Sequence, residues 1–275
     1  MAWRLEPGVQ PTPDTDERIR ELLRRRTPDE HALEVLGPLG LERAARYLSL
    51  MLRWNQKMNL TSITKPPEVV ERHFWEAWAA YPFLLDKGPL LDLGSGAGFP
   101  GVPLAILRPD LETVLLERRE RRTVFLRETL RVCGLDHVRV EPHDLADHVA
   151  TTGAHHYAMV AVRAVKLAVA ELLPLLLSEG PVRLFAWTNV ERGRALEQEV
   201  PTGWDTLHWS RLHPSRDRAL IVLERSAARG ATPPLPPSSS PGTSPRPSAK
   251  RPTSPSRQSA TPPSAPSKTS KTRRK

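Results

Sequence analysis

The chain has 275 residues, 39% of them hydrophobic and 26% charged, a length that suits one large domain or two small ones. A single cysteine, Cys133, excludes an intrachain disulfide framework and a cysteine-rich zinc module. The formal net charge of +9 is segregated: residues 226–275 hold ten Lys/Arg and no Asp or Glu, whereas 1–225 hold 30 Lys/Arg against 31 Asp/Glu, so basic composition says nothing about the globular body.

The opening ten residues show no signal-peptide apolar core, and the most apolar long window, 158–170, is interrupted by Arg163 and Lys166. The chain therefore reads as a soluble, cytoplasmic protein with no membrane span. Residues 14–26 form a short charged helix with Ile19, Leu22 and Leu23 on its apolar side. A stronger helix over 41–58 places Leu41, Ala44, Ala45, Leu48, Met51 and Leu52 on one broad face. Pro66-Pro67 marks another helix start, running to Tyr81 before Pro82 disturbs it. From Gly88 the pattern changes to strand alternating with helix. Strands are expected at 89–93, 113–116, 138–140, 159–162, 181–187 and 219–224, and helices at 101–107, 121–133 and 167–177, with Gly134 ending the second of these. This rhythm indicates an α/β protein with a parallel, doubly wound sheet. The expected division is a helical N-terminal extension over 1–85, a sheet domain over 86–225, and a disordered tail over 226–275, where twelve Pro and twelve Ser leave too little apolar content for a core.

The strand at 89–93 runs directly into Gly94-Ser95-Gly96-Ala97-Gly98 and then a helix. Such a cluster turns the chain tightly and lets a ligand approach the backbone. Gly96 to Gly101 formally fits the dinucleotide pattern G-x-G-x-x-G, but starts three residues past the strand and contains Pro100. In strand register, Asp92-Leu93-Gly94-Ser95-Gly96-Ala97-Gly98 resembles the first motif of class I S-adenosylmethionine-dependent methyltransferases. Glu117, ending the next strand, is where the ribose hydroxyls of either cofactor would meet a carboxylate. A purely structural turn is the third reading.

Trp54-Asn55-x-x-x-Asn59-Leu60-Thr61-Ser62, Glu71-Arg72-His73-Phe74, the run from Gly94 to Ile106 with Pro100 and Pro103, Leu115-Leu116-Glu117, Arg121-Arg122, Phe125-Leu126 and Arg163-Ala164 together resemble the glucose-inhibited division protein B family. Its members are the bacterial small-subunit rRNA methyltransferases of type G (RsmG). The resemblance covers about 41–190, with a weaker trail to 225. It implies a class I, Rossmann-like methyltransferase fold, S-adenosylmethionine as methyl donor, and transfer to N7 of a guanine in 16S rRNA or the small ribosomal subunit. It further implies donor contacts at Gly94, Gly96, Gly98 and Phe99, at Glu117, at Leu145 and Ala146 in the loop after the third strand, and at Arg163. Asn59, Arg72 and His73 are substrate-side candidates. Three of these candidates have a plainer reading: Arg163 as a surface ion-pair partner, Asn59 as a helix-end cap, His73 as a packed histidine. The chain departs from the family pattern at Glu76 and Ala77, usually Asp-Ser, at Asp144-Leu145-Ala146, at Ala158, and at Thr188, where a lysine is expected nearby. These departures keep open a non-catalytic RNA- or ribosome-binding paralogue, or a methyltransferase with another acceptor.

Guanine N7 carries no proton at neutral pH, so its methylation needs positioning rather than a general base, and no catalytic side chain is expected. Cys133, inside a helix, reads as a core residue rather than a nucleophile. His143, Asp144, Asp147 and His148 lack a convincing third ligand for a metal site. A monomer without a metal is expected, and the tail suits either sequence-independent RNA attraction or simple solvation.

Overall fold

The structure is a computed structural model that describes residues 13–225 apart from 155, 164–167, 178 and 215. The expected disordered tail, the opening residues, Ala164 and Lys166 lie outside the described residues. Seven strands form one sheet in the order β3-β2-β1-β4-β5-β7-β6: β1 Leu90–Leu93, β2 Thr113–Leu116, β3 Val138–Glu141, β4 Met159–Arg163, β5 Val182–Thr188, β6 Asp205–Arg211 and β7 Ala219–Arg225. Strands β1 to β5 are parallel, whereas β7 runs antiparallel to both β5 and β6. The wholly parallel sheet expected from the strand–helix rhythm is thus corrected at one edge. The reason is local: β6 ends at Arg211 and β7 begins at Ala219, and so short a link reverses the chain.

The helices are α1 Pro13–Arg25, α2 Glu30–Met58, α3 Pro66–Val69, a π-helical stretch Val70–Trp75, α4 Glu76–Trp78, α5 Gly101–Leu107, α6 Glu120–Cys133, α7 Leu145–Thr152, α8 Val169–Leu172 and α9 Val190–Gln198. Helix α2 begins earlier than its apolar face suggests because Asp29 caps it, its side chain accepting the Ala32 N–H at 2.7 Å. Gly37, at φ +59° ahead of Pro38, breaks the helical backbone inside it. The helix expected over 167–177 is shorter: α8 gives way at Pro174 to a 3-10 turn, Leu173–Leu175.

The central strands are buried on both faces, as parallel strands between helices must be. On one face Ile19 and Leu23 of α1, Tyr47, Leu48 and Met51 of α2, Ile106 of α5 and Phe125 of α6 form a continuous core. On the other, Leu91, Val160, Leu184 and Ile221 pack under Leu172, Leu196 and Trp204. Strand order reverses between β1 and β4, which opens a crevice beyond their carboxyl ends. Among the described residues, no helix is long and apolar enough to cross a membrane.

Candidate donor and acceptor site

Pairing register brings the sequence candidates to one level. Leu93 of β1 lies opposite Leu116 of β2 and Val162 of β4, so Gly94, Glu117 and Arg163 emerge side by side at adjoining strand ends. The glycine loop is a prefolded turn. The N–H groups of Gly94 and Ser95 both donate to the Leu116 carbonyl, those of Gly98 and Phe99 donate to the Ser95 carbonyl, and the Gly96 N–H donates to Glu117 Oε2 at 2.9 Å. Gly94, Gly96 and Gly98 all have positive φ. At Gly98 a Cβ would also stand 2.8 Å from Val102 Cγ2.

Glu117 is buried and braces this turn: its other oxygen accepts the Arg119 N–H at 2.9 Å, and Arg122 Nη1 stands 3.6 Å from Oε2. A carboxylate offers about four acceptor positions, so both oxygens keep capacity for hydroxyl donors. Asp92 lies fully buried below the loop, its Oδ2 accepting the Gly101 N–H at 3.0 Å while Oδ1 has no partner. Burial pushes its carboxyl up to about 7.

Phe99 closes the turn between aromatic neighbours. His73 stacks on it with ring centroids 3.8 Å apart and an interplanar angle of 7°, Tyr47 leans against it at 5.3 Å, and the Arg163 guanidinium stands 5.8 Å from its ring centre. The Tyr47 hydroxyl donates to the Ala97 carbonyl at 2.8 Å and anchors the loop to α2. His73 is held from behind by Thr61, 2.9 Å from Nε2, and Thr61 is itself clasped by Asn55 through two hydrogen bonds. Burial, then Arg163, Arg72 and Arg218, holds the His73 imidazole well below its usual value, so it is neutral near pH 7.

Arg163 is not the surface ion-pair partner of its plainer reading. It is largely buried, donates to the Arg72 carbonyl at 2.9 Å and lies 3.5 Å from Glu76 Oε2; burial lowers its guanidinium to about 10. Glu76 also takes two contacts from Arg218, at 3.0 Å from Nε and 2.8 Å from Nη2. One turn away, Glu71 pairs with Arg26 and Arg216. Four arginines, Arg26, Arg163, Arg216 and Arg218, therefore pair with two glutamates, and Arg72 joins them through its carbonyl. Arg216 and Arg218 had no sequence signal, because they reach the site only through the β6–β7 link.

Other candidates sit apart. Leu145 and Ala146 open α7 rather than lying in a loop, with Asp144 accepting the Asp147 N–H at 3.0 Å as the cap. Asn59 ends α2 in the left-handed conformation, at φ 48°, which is a helix-end role. His148 is packed against the Tyr157 hydroxyl at 2.7 Å, and no group of three or more potential metal ligands occurs among the described residues. Cys133 is buried, with its thiol pushed up to about 12 and directed to the Arg43 carbonyl at 3.6 Å.

Residues 40–184, more than half of the chain, match the model of the GidB family, rRNA small subunit methyltransferase G. The chain belongs to this family. Curated relatives agree. "Ribosomal RNA small subunit methyltransferase G" of Stenotrophomonas maltophilia (strain R551-3) is 38% identical over 176 residues, 62% of this chain and 80% of the relative. The protein of the same name from Xanthomonas campestris pv. campestris (strain B100) is 45% identical over 95 residues, 34% of this chain and 44% of that one. That from Chromobacterium violaceum is 41% identical over 109 residues, 40% of this chain and 52% of that one. The match thus spans four fifths of the first relative and about half of the other two. With the family established, the sheet with its one reversed strand, β7, is a class I methyltransferase sheet, doubly wound as expected.

Proposed function

We propose that this protein transfers a methyl group from S-adenosylmethionine to N7 of a guanine in 16S rRNA, acting in the cytoplasm as a monomer on the rRNA or the small subunit. The observation that carries the reading is the convergence of the Gly94–Phe99 turn, the Glu117 carboxylate and the buried Arg163 at adjoining strand ends, within the segment that matches the family.

When bound, S-adenosylmethionine supplies a methyl group on a sulfonium sulfur. At Gly94, Gly96 and Gly98 the turn carries no side chain, and Glu117 retains acceptor capacity for ribose hydroxyls. Asp92 and Tyr47 hold the turn in place from beneath and behind. Because N7 attacks with a lone pair and carries no proton, the chain's task is to bring donor and acceptor into line and exclude water. The neutral His73 and Phe99, stacked face to face, form a rigid aromatic wall for that purpose. The arginines around Glu71 and Glu76 leave a positive surplus suited to RNA phosphates. The buried, protonated Cys133 gives no nucleophile for methylation at a pyrimidine carbon.

A strain lacking the gene tests the reading. Its 16S rRNA is expected to lose one N7-methylguanine, restored by the wild-type chain and not by Gly94→Arg, which fills the turn. An intact modification in the deletion strain would contradict it.

A further inference from the structure

Arg163 leaves the end of β4 as a long side chain, and something must set the angle at which it enters the crevice. A guanidinium carries its N–H donors in one rigid plane, so two acceptors on different nitrogens fix its orientation. One helical turn supplies both. In an α-helix the Glu76 N–H would pair with the Arg72 carbonyl four residues back. The π-helical stretch Val70–Trp75 shifts that register, and the Glu76 N–H goes instead to the carbonyls of Glu71 and Phe74. Arg163 Nη1 takes the Arg72 carbonyl in its place, at 2.9 Å. The second acceptor is Glu76 Oε2, 3.5 Å from Arg163 Nη2.

Glu76 is itself fixed at both ends. Its carbonyl accepts the Trp187 indole N–H at 3.0 Å, and its carboxylate takes Arg218 Nε at 3.0 Å and Nη2 at 2.8 Å. Both Glu76 and Trp187 are buried, so neither contact is free to relax into solvent. Charge points the same way. Burial opposes the Arg163 cation most; Glu76 is the largest charge in its favour, and Arg218 and Arg72 act against it. Without the Glu76 carboxylate the three guanidiniums repel one another, and Arg163 is driven from its place 5.8 Å from the centre of the Phe99 ring.

We propose that Glu76 is a positioning residue for the methyl donor: together with the Arg72 carbonyl it fixes the Arg163 guanidinium beside Phe99 at the donor turn. The proposal deepens the reading above and rests on it, because it takes Arg163 to be a donor contact.

The test is a double-mutant cycle of Glu76→Gln and Arg163→Gln on the full chain. It is read as S-adenosylmethionine affinity by titration, and as KM for the donor and for 16S rRNA. Glu76→Gln alone should weaken donor binding and raise the donor KM about tenfold, with the KM for rRNA unchanged. A merely structural role would lower the active fraction and leave both KM values alone. In the Arg163→Gln background no guanidinium remains to be oriented, and Glu76→Gln should change donor affinity by less than about twofold. Glu76→Asp keeps the anion and provides a folded variant should the glutamine one not fold. Its carboxylate, one methylene further back, should still weaken donor binding about threefold. Wild-type donor affinity in folded Glu76→Gln, or in Glu76→Asp where the glutamine variant does not fold, would overturn the proposal. So would a loss of equal size in the Arg163→Gln background. Normal donor binding by Arg163→Gln would overturn the donor role of Arg163 and this proposal with it. A wild-type chain that binds the donor and methylates no rRNA would overturn the acceptor reading alone.

Discussion

Asp92 sits where a charge is least welcome, fully buried beneath the glycine turn with one carboxylate oxygen bonded and the other without a partner. Its carboxyl is raised by burial from 3.8 to about 7, so ionisation opposes folding. Its contribution to stability is therefore complete below pH ~4 and lost as pH rises towards ~7. Asp92→Asn keeps an oxygen for the Gly101 N–H without the charge. Its stability relative to wild type should rise between those limits by about 4 kcal/mol and level off above them. Urea unfolding of both proteins from pH 4.5 to 8.5 measures this, and a difference independent of pH would contradict it. Glu76 poses the opposite case, a buried anion on which Arg163 and Arg218 both depend. Glu76→Gln leaves two largely buried guanidiniums without their counter-charge and should cost about 3–5 kcal/mol. A cost below about 1 kcal/mol would show the cluster to be hydrated like a surface pair.

Elements differ in how openly they announce themselves. Strands β1, β2, β4, β5 and β7 are short apolar runs between turn residues and are readable as such, and α6 carries its own stop at Gly134. Strand β6 is not, because it is a partly exposed edge with polar residues at most positions and no apolar run. Helix α7 is only eight residues long and α9 is similarly polar, and only their caps, Asp144 and Asn189, mark their starts. Strand direction has no local signature, so the reversal of β7 was beyond sequence patterning. At the site, the glycines, Glu117 and Arg163 are legible because each stands at a strand end in a familiar order. The Tyr47–Ala97, Glu76–Arg218 and Trp187–Glu76 links are not, since they join residues 50, 142 and 111 positions apart. The π-helical stretch Val70–Trp75, which presents Arg72 and His73 to Arg163 and Phe99, also has no sequence mark. Helix α1 is tied to the core through Ile19 and Leu23, both essentially fully buried. Leu23→Ala should lower stability by about 2–5 kcal/mol. Calorimetric melting checks this, and an unchanged melting temperature would show that α1 contributes little to the fold.

At the scale of the whole molecule, a near-neutral body is joined to a tail that carries the entire positive excess. Electrostatic attraction by such a segment is independent of sequence and weakens with salt. Deleting residues 226–275 should reduce the salt slope of RNA binding while leaving donor affinity unchanged. An unchanged slope would show that the tail takes no part in binding. The body itself places its candidate site at the β1–β4 switch point, beyond the carboxyl ends of central strands that helices cover on both faces. Transfer of a labelled methyl group from S-adenosylmethionine to small ribosomal subunits lacking the modification, with the rRNA digested to nucleosides, tests the central claim most directly. Label recovered in N7-methylguanosine is the expected result. Absence of label from the rRNA, with donor binding demonstrated separately on the same preparation, would contradict it.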